Sequence, residues 1–188
     1  MEKITSEQYG KISTQLIIDF LKNAGPKERH QLVSEWNHDS GYDVFNWIMN
    51  DPETDKATAL MMYWMSGGAG NKIYANRDDM METASWDAER YDFIELLEEK
   101  YLSGFYKNQI LVYDPTNDMI AAGAAYAPAG TVIVGHDWTK DDWGEPKREL
   151  PSEMLNKVDG ESIEPEKDWA EGVPPHIWEE MRKYTVIG

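Results

Sequence analysis

The sequence predicts a mainly α (α+β) protein: an N-terminal helical array, a small β-hairpin or meander, and a long irregular C-terminal region. Three observations carry this expectation. Apolar residues recur at three- and four-residue steps through the first 104 positions, between cap and breaker signals. Two short β-like runs follow, at 109–113 and 131–134. Beyond residue 136 the periodicity fades, and tryptophans stand among acids and prolines.

Each element has its own local reason. Thr5 with Gln8 has capping-box spacing, and Tyr9, Ile12, Leu16, Ile17, Phe20 and Leu21 then mark one buried helix face. Asn23-Ala24-Gly25-Pro26 stops that helix, because glycine accepts the left-handed cap and proline opens the next one. A second helix, about Pro26 to Trp36, buries Leu32, Val33 and Trp36. The turn Asn37-His38-Asp39-Ser40-Gly41 leads into a third helix, Tyr42 to Asn50. Asp51-Pro52 breaks it, and Thr54 or Asp55 caps a fourth whose stripe is Ala57, Leu60, Met61 and Trp64. Gly67-Gly68-Ala69-Gly70 ends the array. Residues 71–84 read as a loop with one helical turn. Ser85 then caps a strong helix to about Ser103, with Tyr91, Ile94, Leu97 and Tyr101 on its face.

The β-like runs Gln109–Tyr113 and Thr131–Val134 flank the turn cluster Asp114–Asp118 and a small apolar run, Ile120 to Ala127. Pro175 can start a last short helix carrying Ile177, Trp178 and Met181. The expected organisation is one domain, 1–188. It divides into a helical core (1–104), a small β element (105–136) and an acidic, Trp-containing region packed on them (137–188).

Composition bounds the function. A chain of 188 residues buries roughly 70% of the surface its unfolded form exposes, so it needs no disulfide or metal to fold. The absence of cysteine excludes a disulfide framework, a zinc finger, an iron–sulfur site and a thiol nucleophile. The net charge of −17 repels phosphates, which argues against nucleic-acid or anionic-membrane partners. Residues 137–188 hold 14 acids and 7 bases, the most negative balance per residue in the chain. No apolar window is long enough to span a membrane, and Met1–Glu7 lacks the basic and apolar regions of a secretory signal. A cytoplasmic address is the expectation.

Trp36-Asn37-His38-Asp39-Ser40-Gly41, Trp47-Ile48, Pro52, Asp55, Ala57-Thr58-Ala59-Leu60 and Tyr63-Trp64 occur in that order. Leu102-Ser103-Gly104-Phe105-Tyr106 and Asp114-Pro115 follow. Over about residues 26–115 this order resembles the bacterial domain-of-unknown-function family numbered 4274. The resemblance implies a compact, mainly helical domain and brings no assigned chemistry. Residues 137–188 lie largely outside it.

Motifs for catalysis are absent: no Gly-x-Ser-x-Gly, Walker A, His-Glu-x-x-His or EF-hand pattern occurs. In Trp36–Gly41, Asp39 or Asn37 reads as a cap, Gly41 as a tight passage and Trp36 as core, and Asp55 reads as a cap too, because a short polar side chain before a helix satisfies its free N–H groups. His30 and His38 are eight apart with a turn between them, which is not a same-face helical spacing for metal ligands. His136-Asp137 lacks a nucleophile or a second ligand set. Gly67–Gly70 ends a helix, and phosphate is cradled at helix starts. No catalytic residue, metal ligand or cofactor is assigned.

The suggestive feature is the alternation of acid with large aromatic between Trp138 and Trp178. Aromatics supply contact area and acids steer toward a basic partner. Equally, the tryptophans can pin an irregular strap onto the helical core, with the acids facing water. The expected function is an acidic protein-binding module, most concretely an immunity protein that binds and neutralises a basic toxin. Asp141, Asp142, Trp143, Asp168 and Trp169 are its candidate contacts. The alternatives are a divalent-metal-dependent hydrolase using His136 and Asp137, and a passive scaffold domain.

Overall fold

The computed structural model describes residues 1–123, 127, 128 and 130–187. It is mainly α, with seven α-helices and one two-stranded sheet among the described residues. The chain divides into two compact units, Met1–Asn50 with Ile163–Gly188, and Asp51–Ser162.

In the first unit, strand β1 (Glu2–Ile4) pairs in parallel with β2 (Tyr184–Val186), Glu2 opposite Tyr184 and Ile4 opposite Val186. Helix α1 (Ser6–Leu21) opens with the expected reciprocal box: Gln8 N–H donates to Thr5 Oγ1, and Thr5 N–H donates to Gln8 Oε1. Helix α2 (Pro26–Glu35) starts on proline, whose missing N–H costs nothing in a first turn. Asn37 caps a 3₁₀ turn at His38–Ser40 by accepting from Asp39 N–H, and Gly41 passes through positive φ into α3 (Asp43–Asn50). Helix α7 (Pro175–Met181) and α3 both pack on α1. Leu21, Leu32, Val33, Phe45 and Ile48 have no exposed surface. Buried Arg29 donates to the Leu21 carbonyl and lies over the Trp47 ring, tying the end of α1 to α2.

In the second unit, α4 (Lys56–Met65) is buried at every position from Ala57 to Trp64, so it packs on all sides and not only along the expected stripe Ala57, Leu60, Met61 and Trp64. Asp55 does more than cap it. One carboxylate oxygen accepts from Ala57 N–H and the other from Ile110 N–H at 2.6 Å, so one buried acid fixes both the helix and a distant loop. The polar stretch expected as a loop is more ordered than that: a 3₁₀ turn at Gly68–Ile73 leads to α5 (Arg77–Ala84), which Asn76 caps. Buried Met80 and Ala84 give α5 its inner face. Helix α6 (Ala88–Leu102) begins after a 3₁₀ turn at Ser85–Asp87, and Ser85 makes no capping bond. Asp87 at its start holds Arg90 with both carboxylate oxygens, leaving no cap for the helix amides.

The β-like runs are used differently from a hairpin. Leu111 bridges Glu161 and Tyr113 bridges Val158, so the backbone groups of the first run are taken by residues far along the chain. The run 131–134 forms no strand, and Val132 and Val134 are 90% and 81% exposed. Within the apolar run 120–127, residues 124–126 lie outside the described residues.

Candidate partner-binding surface

The acid–aromatic residues fall into two stretches, one in each unit. In the second unit, most functional groups of residues 136–148 turn onto their own chain, although among the described residues Glu145 is exposed without a partner and the buried Trp143 indole N–H has none. Buried Asp118 accepts from the Tyr113 hydroxyl at 2.9 Å, from Trp138 Nε1–H at 2.8 Å, and from the Ile120 and Ala121 amides. Burial, and then the Asp118 charge, hold the Tyr113 phenol well above its ordinary range. Asp137 takes Lys140 and Thr139, which lower its carboxyl. Asp141 lies 3.1 Å from His136 Nε2, and Asp142 accepts from the Gly144 amide in a local turn.

Trp143 lies across the glycine loop. A Cβ on Gly70 would stand 3.0 Å from its ring, and one on Gly68 would stand 2.3 Å from the Tyr63 ring. Those glycines are therefore a close-packing device. Lys147 and Arg148 amides then donate to the Lys72 carbonyl. The Arg148 guanidinium reaches both Glu95 oxygens at 2.7 and 2.8 Å, and donates to the Asn71 and Tyr74 carbonyls. Burial alone would raise the Glu95 carboxyl, but the Arg148 bonds and charge, helped by Asn71 and Lys72, outweigh it and hold it low. Beside this, Lys72 and Glu98 form an ion pair of 2.7 Å whose side chains are almost wholly covered, and the Tyr63 hydroxyl donates to the same carboxylate.

In the first unit, residues 166–182 are pinned by other means. The Gln31 side-chain amide pairs with the Glu166 backbone, donating to its carbonyl and accepting from its N–H, each at 2.9 Å. Trp169 meets the Phe20 ring edge-on at 5.7 Å. A tight turn follows, with Ala170 bridged to Val173 and both Glu171 (φ 52°) and Gly172 (φ 71°) left-handed. A Cβ on Gly172 would fall 2.4 Å from Leu32 Cα, so only glycine lets the turn lie this close to α2.

This turn and α7 border an open groove of about 340 Å³. Trp178 forms its wall with Ala170 and Pro175, and its indole is held by donating to the Ala170 carbonyl at 3.0 Å. Asp168, Glu171 and Glu179 supply carboxylates, and Arg182 also lines the groove. Among the described residues, the Asp168 and Glu179 side chains have no hydrogen-bond or ion-pair partner, and Glu171 has one long contact of 3.4 Å from Asn37.

The five sequence candidates thus divide. Asp141, Asp142 and Trp143 belong to the second unit and make contacts within it. Asp168 lines the groove, and Trp169 fastens its approach to Phe20. Sequence reasoning passed over Glu171, Trp178 and Glu179 as site residues. A signal for them existed in Glu171-Gly172 followed by a double proline, which fixes a turn directly before a short helix. It also passed over Trp86, which is 84% exposed at the α5–α6 junction. Among the described residues no three His, Asp or Glu side chains converge on a position suited to a metal ion. No helix of the described residues is long and apolar enough to cross a membrane.

A family model described as Domain of unknown function (DUF4274) matches residues 24–102. This is the family the sequence resembles. The DUF4274 match runs from α2 to the end of α6, so both acid–aromatic stretches lie beyond it. No curated protein and no solved structure matches the chain.

Proposed function

We propose that the chain is an acidic protein-binding module of the cytoplasm whose partner is a basic protein, most concretely an immunity protein that neutralises a toxin. The observation that carries this reading is the groove beside α7, where Asp168 and Glu179 face solvent without an ion-pair partner among the described residues. Carboxylates left unpaired around an aromatic wall suit a basic surface, since they lose no internal partner on binding. The net charge of −17 adds long-range steering toward such a partner.

The test is affinity capture from nuclease-treated lysate at low and high salt, followed by a titration of the purified pair. The reading predicts one stoichiometric basic protein whose affinity falls steeply with ionic strength. A captured partner without a basic surface, or binding indifferent to salt, contradicts it.

A further inference from the structure

We propose that the chain self-associates head to tail, the Trp86 corner of one copy docking on a lysine platform at the other end of α6 in the next copy. Both surfaces belong to the second unit. The head is built on an exposed tryptophan, a residue that globular proteins normally cover. Trp86 is 84% exposed at the α5–α6 junction, and Met81 of α5 is 39% exposed. Glu82 near the end of α5 and Glu89 in the first turn of α6 are exposed and, among the described residues, have no ion-pair partner. The corner is therefore apolar with an acidic frame.

The tail has the opposite charge. With 35 acids to 18 bases, carboxylates are abundant, yet among the described residues Lys56, Lys100 and Lys107 have no ion-pair partner. They gather in one place instead. Lys56 lies 5.4 Å from the Tyr101 ring centroid and Lys100 lies 4.1 Å from that of Phe105. Lys107 Nζ is 3.3 Å from where a Cβ on Gly104 would stand, and the Lys56 amide donates to the Asn108 carbonyl, which fixes the start of α4 beside this corner. The α6 dipole accounts for Lys100 in its last turn. It does not account for Lys56, which opens α4 where a cation meets the positive end of a helix, nor for Lys107, which lies outside both helices. Leu102, 42% exposed, adds an apolar share.

Charge complementarity between the two corners names a second copy as the occupant. Glu82 and Glu89 of one copy meet Lys56 and Lys107 of the next, while the Trp86 indole lies on the apolar and cationic surface made by Leu102, Phe105 and Lys100. Helix α6, of 15 residues, holds the two corners about 22 Å apart. One copy therefore cannot satisfy itself, and the contact repeats from copy to copy without a two-fold axis. The interface is small, so the association is weak and depends on concentration. It needs no basic partner and does not involve the groove beside α7.

The experiment follows the purified full chain by sedimentation velocity over rising concentration, at an ionic strength that screens the net charge of −17, with the Trp86 indole N–H resonance as reporter. The proposal predicts a growing average mass and a Trp86 shift in step with it. Trp86→Ala and Lys56→Glu/Lys107→Glu should each weaken association about tenfold. An equimolar mixture of the two should form a one-to-one dimer, because the first retains its tail and the second its head. Circular dichroism melts of each variant separate loss of association from loss of fold.

A wild-type chain that stays monomeric throughout, an unmoved Trp86 resonance, or a mixture as monomeric as its components would each overturn the proposal. So would a lysine variant that associates like wild type while Trp86→Ala does not, since the contact would then join two Trp86 corners symmetrically. Failure to capture a basic partner from lysate removes the protein-binding reading and leaves this contact standing, because it is measured on the purified chain alone.

Discussion

Residues 136–148 and 166–182 both mix acids with two tryptophans, the first with four acids to three bases and the second with five acids to two, and the structure uses them differently. In the first stretch most charged groups are answered internally, Asp137 by Lys140, Asp141 by His136 and Arg148 by Glu95, while Glu145 is exposed without a partner among the described residues. Its tryptophans close onto Asp118 and onto the glycine loop. In the second stretch Trp169 does the fastening against Phe20, while Trp178 walls an open groove where Asp168 and Glu179 have no partner among the described residues and Glu171 has one long contact from Asn37. The lesson is that acid–aromatic alternation is compatible with either a strap or a binding surface. The deciding fact is whether each carboxylate already has a partner in its own chain.

The comparison can be broken hardest at Arg148. Arg148→Ala removes a two-pronged ion pair and two carbonyl contacts and leaves half-covered Glu95 without its cation. Urea unfolding should show a loss of about 2–4 kcal/mol, and a loss below about 0.5 kcal/mol would mean that the first stretch is not structurally committed. Next comes Gly172→Ala, which adds a Cβ against Leu32 and strains a left-handed residue. It should cost about 2 kcal/mol and reshape the groove, seen as a displaced Trp178 indole resonance. A wild-type spectrum from that variant would contradict the packing described for the turn.

Acid sharpens the same contrast. The folded Glu95 carboxyl lies below its unfolded value, so the unfolded chain binds the proton more readily. Its stabilisation is fully present at neutral pH, above the ordinary carboxylate pKa of about 4.3, and is lost as pH falls through the folded-state value. Thermal melts from pH 6 to pH 3 should therefore fall more steeply for wild type than for Arg148→Met, which lacks the pair from the start. Parallel slopes would remove Glu95 from the account. The smallest expected effects are at the open surfaces. Asp168→Asn with Glu179→Gln, and separately Trp86→Ala, should each change stability by less than about 0.5 kcal/mol, because these side chains have no partner to lose.

Much of the helical framework is legible in the sequence. The Thr5–Gln8 box and the Pro26 start follow from local chemistry and appear in the structure, while Asn37 and Asp55 are the caps among the alternatives local chemistry offers, and α4 is buried beyond its stripe. What was not legible depends on long-range pairing. The strands at the two ends are three residues each and join Glu2 to Tyr184, which no local pattern reveals. Tyr113 looks ready for a hairpin, yet Val158 takes its backbone groups. Asp55 reads as a cap, but nothing near it announces the bond from the Ile110 amide. The same limit applies to the site. Asp141, Asp142 and Asp168 are indistinguishable by type, and only tertiary partners separate the acids turned onto their own chain from those left available.

The most direct test of this distinction is a side-by-side capture with wild type, Asp141→Lys/Asp142→Lys and Asp168→Lys/Glu179→Lys at matched ionic strength. The account predicts that one basic protein is retained by wild type and by the Asp141/Asp142 pair, and is lost from the Asp168/Glu179 pair. Retention by the Asp168/Glu179 pair, with loss from the Asp141/Asp142 pair, would contradict it and place the binding surface in the other stretch.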